Sequence, residues 1–308
     1  MRLLRRLTAW ALVAVATVAS AAPVAITLDD GPQLAPMPRL DAAARNAAML
    51  AALARHRVSA ALFVTAGHGA QTPEGLALAR AWGTAGHRLG NHTVTHLDLN
   101  SPDVTLAQYQ AELLACDALI APLPGYRKWF RFTFLREGNT PDKRDGMRQF
   151  LQQQGYRNAS VTLDTSDWRL DALLRKTLER DPAADIEPIR RAYLDHVWQR
   201  AQAYDALAQR LQGREVPQVL LLHHNLINAL WLDDVLAMFS ARGWRFVTPE
   251  EAYADPLYAL QPERAAPGQS LLLSMARTLG LGRLPGWERL VDDGDHEVAA
   301  LAALGFRE

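Results

Sequence analysis

Seven short apolar or β-branched runs punctuate this chain, at 24–28, 60–65, 88–92, 129–134, 159–164, 218–223 and 245–248. Runs this short and this continuously apolar suit strands buried on both faces. The stretches between them have helical spacing: 39–57 is rich in Ala and Leu, while 76–86 and 142–155 each end at a glycine that can stop a helix. Strand, helix, strand, repeated about seven times, predicts an α/β fold with a parallel sheet and crossover helices, and repeated this often it can close into a barrel. An open doubly wound sheet is the competing arrangement.

Two stretches break the rhythm. Residues 170–215 separate the fifth and sixth runs, carry many charges, and predict two or three helices broken at Asp181-Pro182 and Glu187-Pro188. The last 53 residues, 256–308, are only weakly helical around 271–279 and are expected to be an appendage. At the other end, Arg2, Arg5 and Arg6 precede an apolar run at 7–18 and the small residues Ala19-Ser20-Ala21. That order predicts an export signal over 1–21, cut after Ala21. The run falls short of the roughly 20 apolar residues that span a bilayer, so no stable membrane span is expected. The folded domain is then 22–255, and the periplasm or the extracellular medium its expected location.

The 33 basic residues equal the 33 acidic ones, so binding to nucleic acid through bulk positive charge is excluded. With one cysteine, Cys116, the chain can form neither an internal disulfide nor a cysteine-based zinc site.

Chemistry collects where the runs end. Asp29-Asp30-Gly31-Pro32 closes the first. Two adjacent carboxylates leaving a buried strand repel each other and lose hydration, and a divalent cation would relieve both costs. Alone, the same four residues also read as a turn capped by its own acids. Asn91-His92-Thr93-Val94-Thr95-His96 follows the third run, and one helical turn there would put two imidazoles on one face. With nine histidines in the chain, that pair alone could be chance. Arg131 interrupts an aromatic fourth run, Asp164 ends the fifth ahead of Asp167-Trp168, and His223 ends the sixth. Each has a bland explanation singly. Together they place ionisable groups at the C-terminal strand ends, the face where parallel α/β folds build active sites.

These residues, taken in order, resemble the five motifs of the polysaccharide deacetylase family, the NodB-homology carbohydrate esterases. Thr27-Leu28-Asp29-Asp30-Gly31 is similar to the first, His92 through His96 to the second, Arg131-Phe132-Thr133-Phe134 to the third, Asp164 through Trp168 to the fourth, and Leu221-Leu222-His223 to the fifth. Thr133 stands where that family usually has proline. The resemblance implies a deformed (β/α)7-type barrel, here with a helical insertion before the sixth strand. It also implies hydrolysis of N- or O-acetyl groups on a polysaccharide or oligosaccharide, with a divalent metal, zinc expected ahead of cobalt or another ion. Carried over, Asp30, His92 and His96 would bind the metal. Asp29 would be the general base, His223 the general acid, Arg131 the holder of Asp29, and Asp164 a group that tunes His223. Trp168, Phe134 and Leu222 would line the substrate groove. His224 adjoins the acid, but successive strand residues face opposite ways, and the motif register selects His223.

Two other functions stay open on the sequence: a hydrolase of a non-sugar amide using the same metal site, and a glycan-binding module without catalysis. Glycoside cleavage by paired carboxylates is weaker, since it needs neither the histidine pair nor a metal.

Overall fold

The structure, a computed structural model, describes residues 22–262, 269–281 and Ala302. The expected export signal lies outside the described residues. Among them, no helix is long and apolar enough to cross a membrane.

The elements alternate as expected. In chain order they are β1 (Pro23–Gly31), α1 (Ala42–His56), β2 (Ala60–Val64), α2 (Pro73–Thr84), β3 (Arg88–Asn91), α3 (Leu106–Ile120), β4 (Tyr126–Phe130), α4 (Pro141–Gln153), β5 (Arg157–Asn158) and β6 (Leu163–Asp164). Then come α5 (Asp167–Arg180), α6 (Glu187–Gln212), β7 (Gln218–His223), α7 (Leu226–Ala241), β8 (Arg245–Phe246), α8 (Pro249–Tyr253) and α9 (Leu271–Thr278). Three helices start on the same local device, Thr72-Pro73, Thr140-Pro141 and Thr248-Pro249. In each, the threonine hydroxyl accepts a first-turn N–H, while the proline has no N–H left to satisfy.

Every strand pairing is parallel, and seven strands run in the order β5-β4-β3-β2-β1-β7-β6. β8 pairs only with Pro23 and Val24 of β1. The order begins and ends on two strands that are neighbours in sequence, so the sheet must curl until its edges approach, giving the deformed (β/α)7 barrel. The fifth apolar run, expected as one strand over 159–164, is divided across this seam. Ala159 N–H donates to Phe130 O on the β4 side, and Thr162 N–H donates to Val219 O on the β7 side. A run that serves two edges cannot form one ladder.

The fourth strand ends earlier than expected, at Phe130, so Arg131 is the first residue beyond it. A tight turn at Thr133–Leu135 follows, with Phe134 and Leu135 both at φ 54°. The insertion forms two helices, and Pro188 lies in the first turn of α6 instead of breaking it. Despite the many charges of this stretch, Ile189, Tyr193, Val197, Ala201, Tyr204 and Ala208 bury one stripe of α6.

The expected appendage also contributes to the core. Leu271, Leu272, Leu273 and Ala276 of α9 are buried, and Leu271 N–H donates to Val161 O in the seam. Leu257 and Tyr258, beyond the expected domain end, are buried too.

Candidate active site

β1 runs through the middle of the sheet and delivers Asp29 and Asp30 to its C-terminal end. Asp29 is buried, and its Oδ1 accepts from Arg131 Nη1 at 2.6 Å. Arg131 is itself buried and fully engaged. Its Nη1 also donates to Thr27 Oγ1 (2.9 Å), its Nε to Ala159 O (2.9 Å) and its Nη2 to Tyr253 Oη (3.0 Å). The guanidinium lies 3.9 Å above the Phe63 ring. That ring has its place because residue 90 is glycine; a Cβ there would sit 2.5 Å from it. Burial pushes the Asp29 carboxyl up to about 6, against the opposing pull of Arg131 and His223.

Asp30 turns the other way, at φ 65°. Its Oδ1 lies 3.4 Å from His96 Nε2 and 3.8 Å from His92 Nε2, and accepts from Thr65 Oγ1 at 3.0 Å. His92 Nδ1 is 2.8 Å from Arg131 O, an oxygen that can only accept, so the proton is on Nδ1 and Nε2 keeps its lone pair. Burial depresses both imidazoles, His92 to about 3, so both are neutral ligands near neutral pH. Burial works to raise the Asp30 carboxyl, but its histidine neighbours, once they take up protons at low pH, pull it below the ordinary carboxylate range. Donors each about 2 Å from one tetrahedral ion lie roughly 3.3 Å apart, near the 3.4 and 3.8 Å from Asp30 Oδ1 to the two imidazoles, and all three donors lie within 4.8 Å of one another. One carboxylate and two neutral imidazoles therefore fit a divalent cation, and among the described residues they form the one such cluster.

The histidine pair does not ride on a helical turn as expected. Thr93 (φ 71°) and His96 (φ 58°) are left-handed, and 92–96 is a loop. His68 is a further neighbour of this cluster. Its Nδ1 lies 3.2 Å from Asp30 O, and its ring stacks on His96 at 6.1 Å between centroids. Nothing in its spacing signals this; the parallel pairing of β1 with β2 brings the turn after β2 alongside Asp30.

Opposite the cluster, β7 carries His223 in register with Asp29. His223 Nδ1 lies 2.6 Å from Asp167 Oδ1, and its backbone N–H donates to Asp167 Oδ2 at 3.0 Å. Asn225 and Asn228 also donate to that carboxylate. Burial works to lower the His223 imidazole, but the Asp167 charge and hydrogen bond prevail and push it up to about 10. The carboxylate on His223 is thus Asp167, not Asp164. Asp164 Oδ1 instead accepts from Ser166 N–H and its side chain lines the cleft. His224 turns away; its Nε2 lies 3.0 Å from Asn46 Oδ1, and burial holds it down to about 4.

Asp29, Asp30, His92, His96, Asp164 and His223 line a cleft of about 640 Å³. Phe134 and Trp168, 48% and 44% exposed, stand in its wall, and Phe134 meets the His96 ring edge-on at 4.4 Å. Leu222, expected in the groove, is fully buried; Leu221, two residues before His223, takes that place. Thr133, in place of the family's usual proline, pins the turn below Phe134. Its Oγ1 shares a 2.8 Å hydrogen bond with Tyr109 Oη and donates to Leu97 O.

Residues 17–159 match the family model described as polysaccharide deacetylase. No curated protein matches the chain. Among solved structures, it is similar to the Bc1960 peptidoglycan N-acetylglucosamine deacetylase, with 20% identity over 76% of this chain and 91% of that one, at a TM-score of 0.51. It is similar at the same TM-score to the chitin deacetylase of the fungal pathogen Colletotrichum lindemuthianum, with 19% identity over 76% and 88% of the two chains. A mutant of BA3943, described as a family 4 carbohydrate esterase pseudoenzyme, also shares the fold, with 17% identity over 76% and 67% and a TM-score of 0.51. The family resemblance is borne out by the family match, which spans the first three of the five motifs, and the curled parallel barrel by these structures.

Proposed function

We propose that this polysaccharide-deacetylase-like chain is an exported, metal-dependent hydrolase that removes N- or O-linked acetyl groups from an envelope or extracellular glycan. The observation that carries this reading is the pairing, across one cleft, of a donor cluster suited to a cation with a separate acid and base on adjacent strands. A divalent cation on Asp30, His92 and His96, zinc by preference, would supply Lewis acidity toward water and the acetyl carbonyl.

The chain's own residues do the rest. Arg131 occupies Asp29 Oδ1, while Oδ2 faces the cation donors, 3.6 Å from His92 Nε2. That oxygen takes a proton from the attacking water as the new carbon–oxygen bond forms. Asp167 keeps His223 protonated, so its Nε2 can give a proton to the departing amine or alcohol as the bond to the acetyl carbon breaks. The products are acetate and the free sugar amine or hydroxyl, and the two protons balance. Phe134 and Trp168 offer exposed ring faces on which a sugar can stack.

The test is acetate release from a panel of acetylated glycans by the purified protein, after metal removal and after zinc or cobalt is restored. Release that depends on metal supports the reading. If metal binds tightly and no glycan yields acetate, the chain is a non-sugar amidase or an inactive glycan-binding module.

A further inference from the structure

We propose that Glu112, on α3, is the positioning residue that holds the 92–96 loop in the one form that presents both imidazoles to a single cation. The inference rests on the metal-dependent reading of the cleft. A loop with left-handed residues at Thr93 and His96 is strained at both, and persists only where its surroundings over-determine it. None of the four N–H groups from Thr93 to His96 enters a helix or strand ladder; each goes to a side chain. Thr93 N–H donates to Asn91 Oδ1 at the end of β3 (2.9 Å), and His96 N–H to Thr93 Oγ1 within the loop (3.1 Å). Val94 N–H (2.9 Å) and Thr95 N–H (2.5 Å) both donate to Glu112 Oε2.

For the four N–H groups from Thr93 to His96, Glu112 is the one acceptor among the described residues that lies beyond the adjoining Asn91; at the loop's start His92 N–H donates to Val64 O at 2.9 Å. Bonds to an ionised oxygen are roughly twice as strong as neutral ones, so this carboxylate is the firmest tether on the loop's donor side. On the acceptor side, Ala66 N–H donates to Thr93 O (3.1 Å) and Gly67 N–H to Val94 O (2.7 Å). A Cβ at residue 67 would sit 2.6 Å from Val94 O, so that approach requires glycine. The loop is clamped between this turn and α3.

The helix is a firm mount. It starts on a Thr105/Gln108 capping box, buries Tyr109, Leu113, Cys116 and Ile120, and grips the segment a second time where Asn91 Nδ2 donates to Leu113 O at 2.8 Å. Glu112 is not among the residues lining the active-site cleft; it borders a separate groove with Val94, Thr95 and Leu97. It therefore acts through the two ligands and not on substrate.

The test measures zinc affinity of the whole protein by chelator competition, together with the visible absorption of the cobalt form, in wild type, Glu112→Ala and Glu112→Gln. Loss of a partner that orients metal ligands costs about 10–100-fold in affinity, and Glu112→Ala is expected in that range with an altered cobalt spectrum. Glutamine keeps an oxygen that can accept both N–H groups, so Glu112→Gln should restore the spectrum and stay within a few-fold of wild type. Should the alanine variant fail to fold by circular dichroism, Glu112→Met, a good helix former of similar length, carries the same comparison. Wild-type affinity and spectrum in the folded alanine or methionine variant overturn the proposal, as does a glutamine variant as impaired as alanine. Wild-type protein that binds zinc but releases no acetate overturns the deacetylase reading alone; wild type that binds no zinc overturns both.

Discussion

Asp29 and Asp30 are consecutive, yet the structure gives them different neighbours: a guanidinium hydrogen-bonded to one, with only His92 near its other oxygen, and both His92 and His96 facing the other. Asp29→Asn is expected to lower turnover by about 10²–10⁴-fold, the usual contribution of a general base, while zinc binding measured by competition stays intact. His92→Ala should lose zinc and turnover together. Equal zinc loss in both variants would end this division of roles. Asp167 fixes the other side of the reaction. With its charge removed in Asp167→Asn, His223 loses the interaction that holds it up at about 10. The imidazole then sheds its proton at lower pH, so the alkaline fall in kcat should move down the pH scale, with the acid limb set by Asp29 largely in place. Much of this residue set was legible because each group closes a predicted strand. The confusion of Asp164 with Asp167 arose because both are buried acids in one short motif, and only the three-dimensional path past Ser166 tells which one meets the imidazole. Leu221 was within reach. The alternation that selects His223 over His224 also places Leu221, two residues back, on the same side, and turns Leu222 inward.

Among elements, periodicity found the helices and strands because each buries a continuous apolar face. It failed where one run does two things. The aromatic run after Trp129 leaves the sheet to make a turn, and the 159–164 run bridges the seam between β5 and β6. α9, with its weak signal, covers that seam. Leu272 is fully buried there, and Leu272→Ala should cost about 2–5 kcal/mol in a denaturant titration. Truncating Leu279, 62% exposed, should change stability by no more than about 0.5 kcal/mol. Equal effects would mean that the terminal segment is not part of the cooperative fold.

The molecule as a whole buries imidazoles that have no charged role in the cleft. His87 and His224 are both held down to about 4 by burial, against about 6.5 in an unfolded chain. Between those values the unfolded chain binds protons that the native state refuses, so stability should fall as pH drops from about 6.5 toward 4. Urea midpoints measured across that window test this, and replacing His224 by Asn should flatten the slope. The overall architecture was legible from seven alternations, because a parallel sheet with its crossovers leaves few ways to connect them. The central position of β1 has one more consequence. The three cation donors lie at positions 30, 92 and 96, whereas the strand that brings the acid meets β1 across 193 residues of chain, at the bond from Thr27 Oγ1 to Leu220 O. As the polypeptide emerges from the ribosome, its donors are complete long before its acid has been synthesised. On the proposed reading, a stalled or clipped product ending before His223 would hold the cation donors without the acid, so that the order of translation itself would keep the chain inert toward substrate until it is nearly whole.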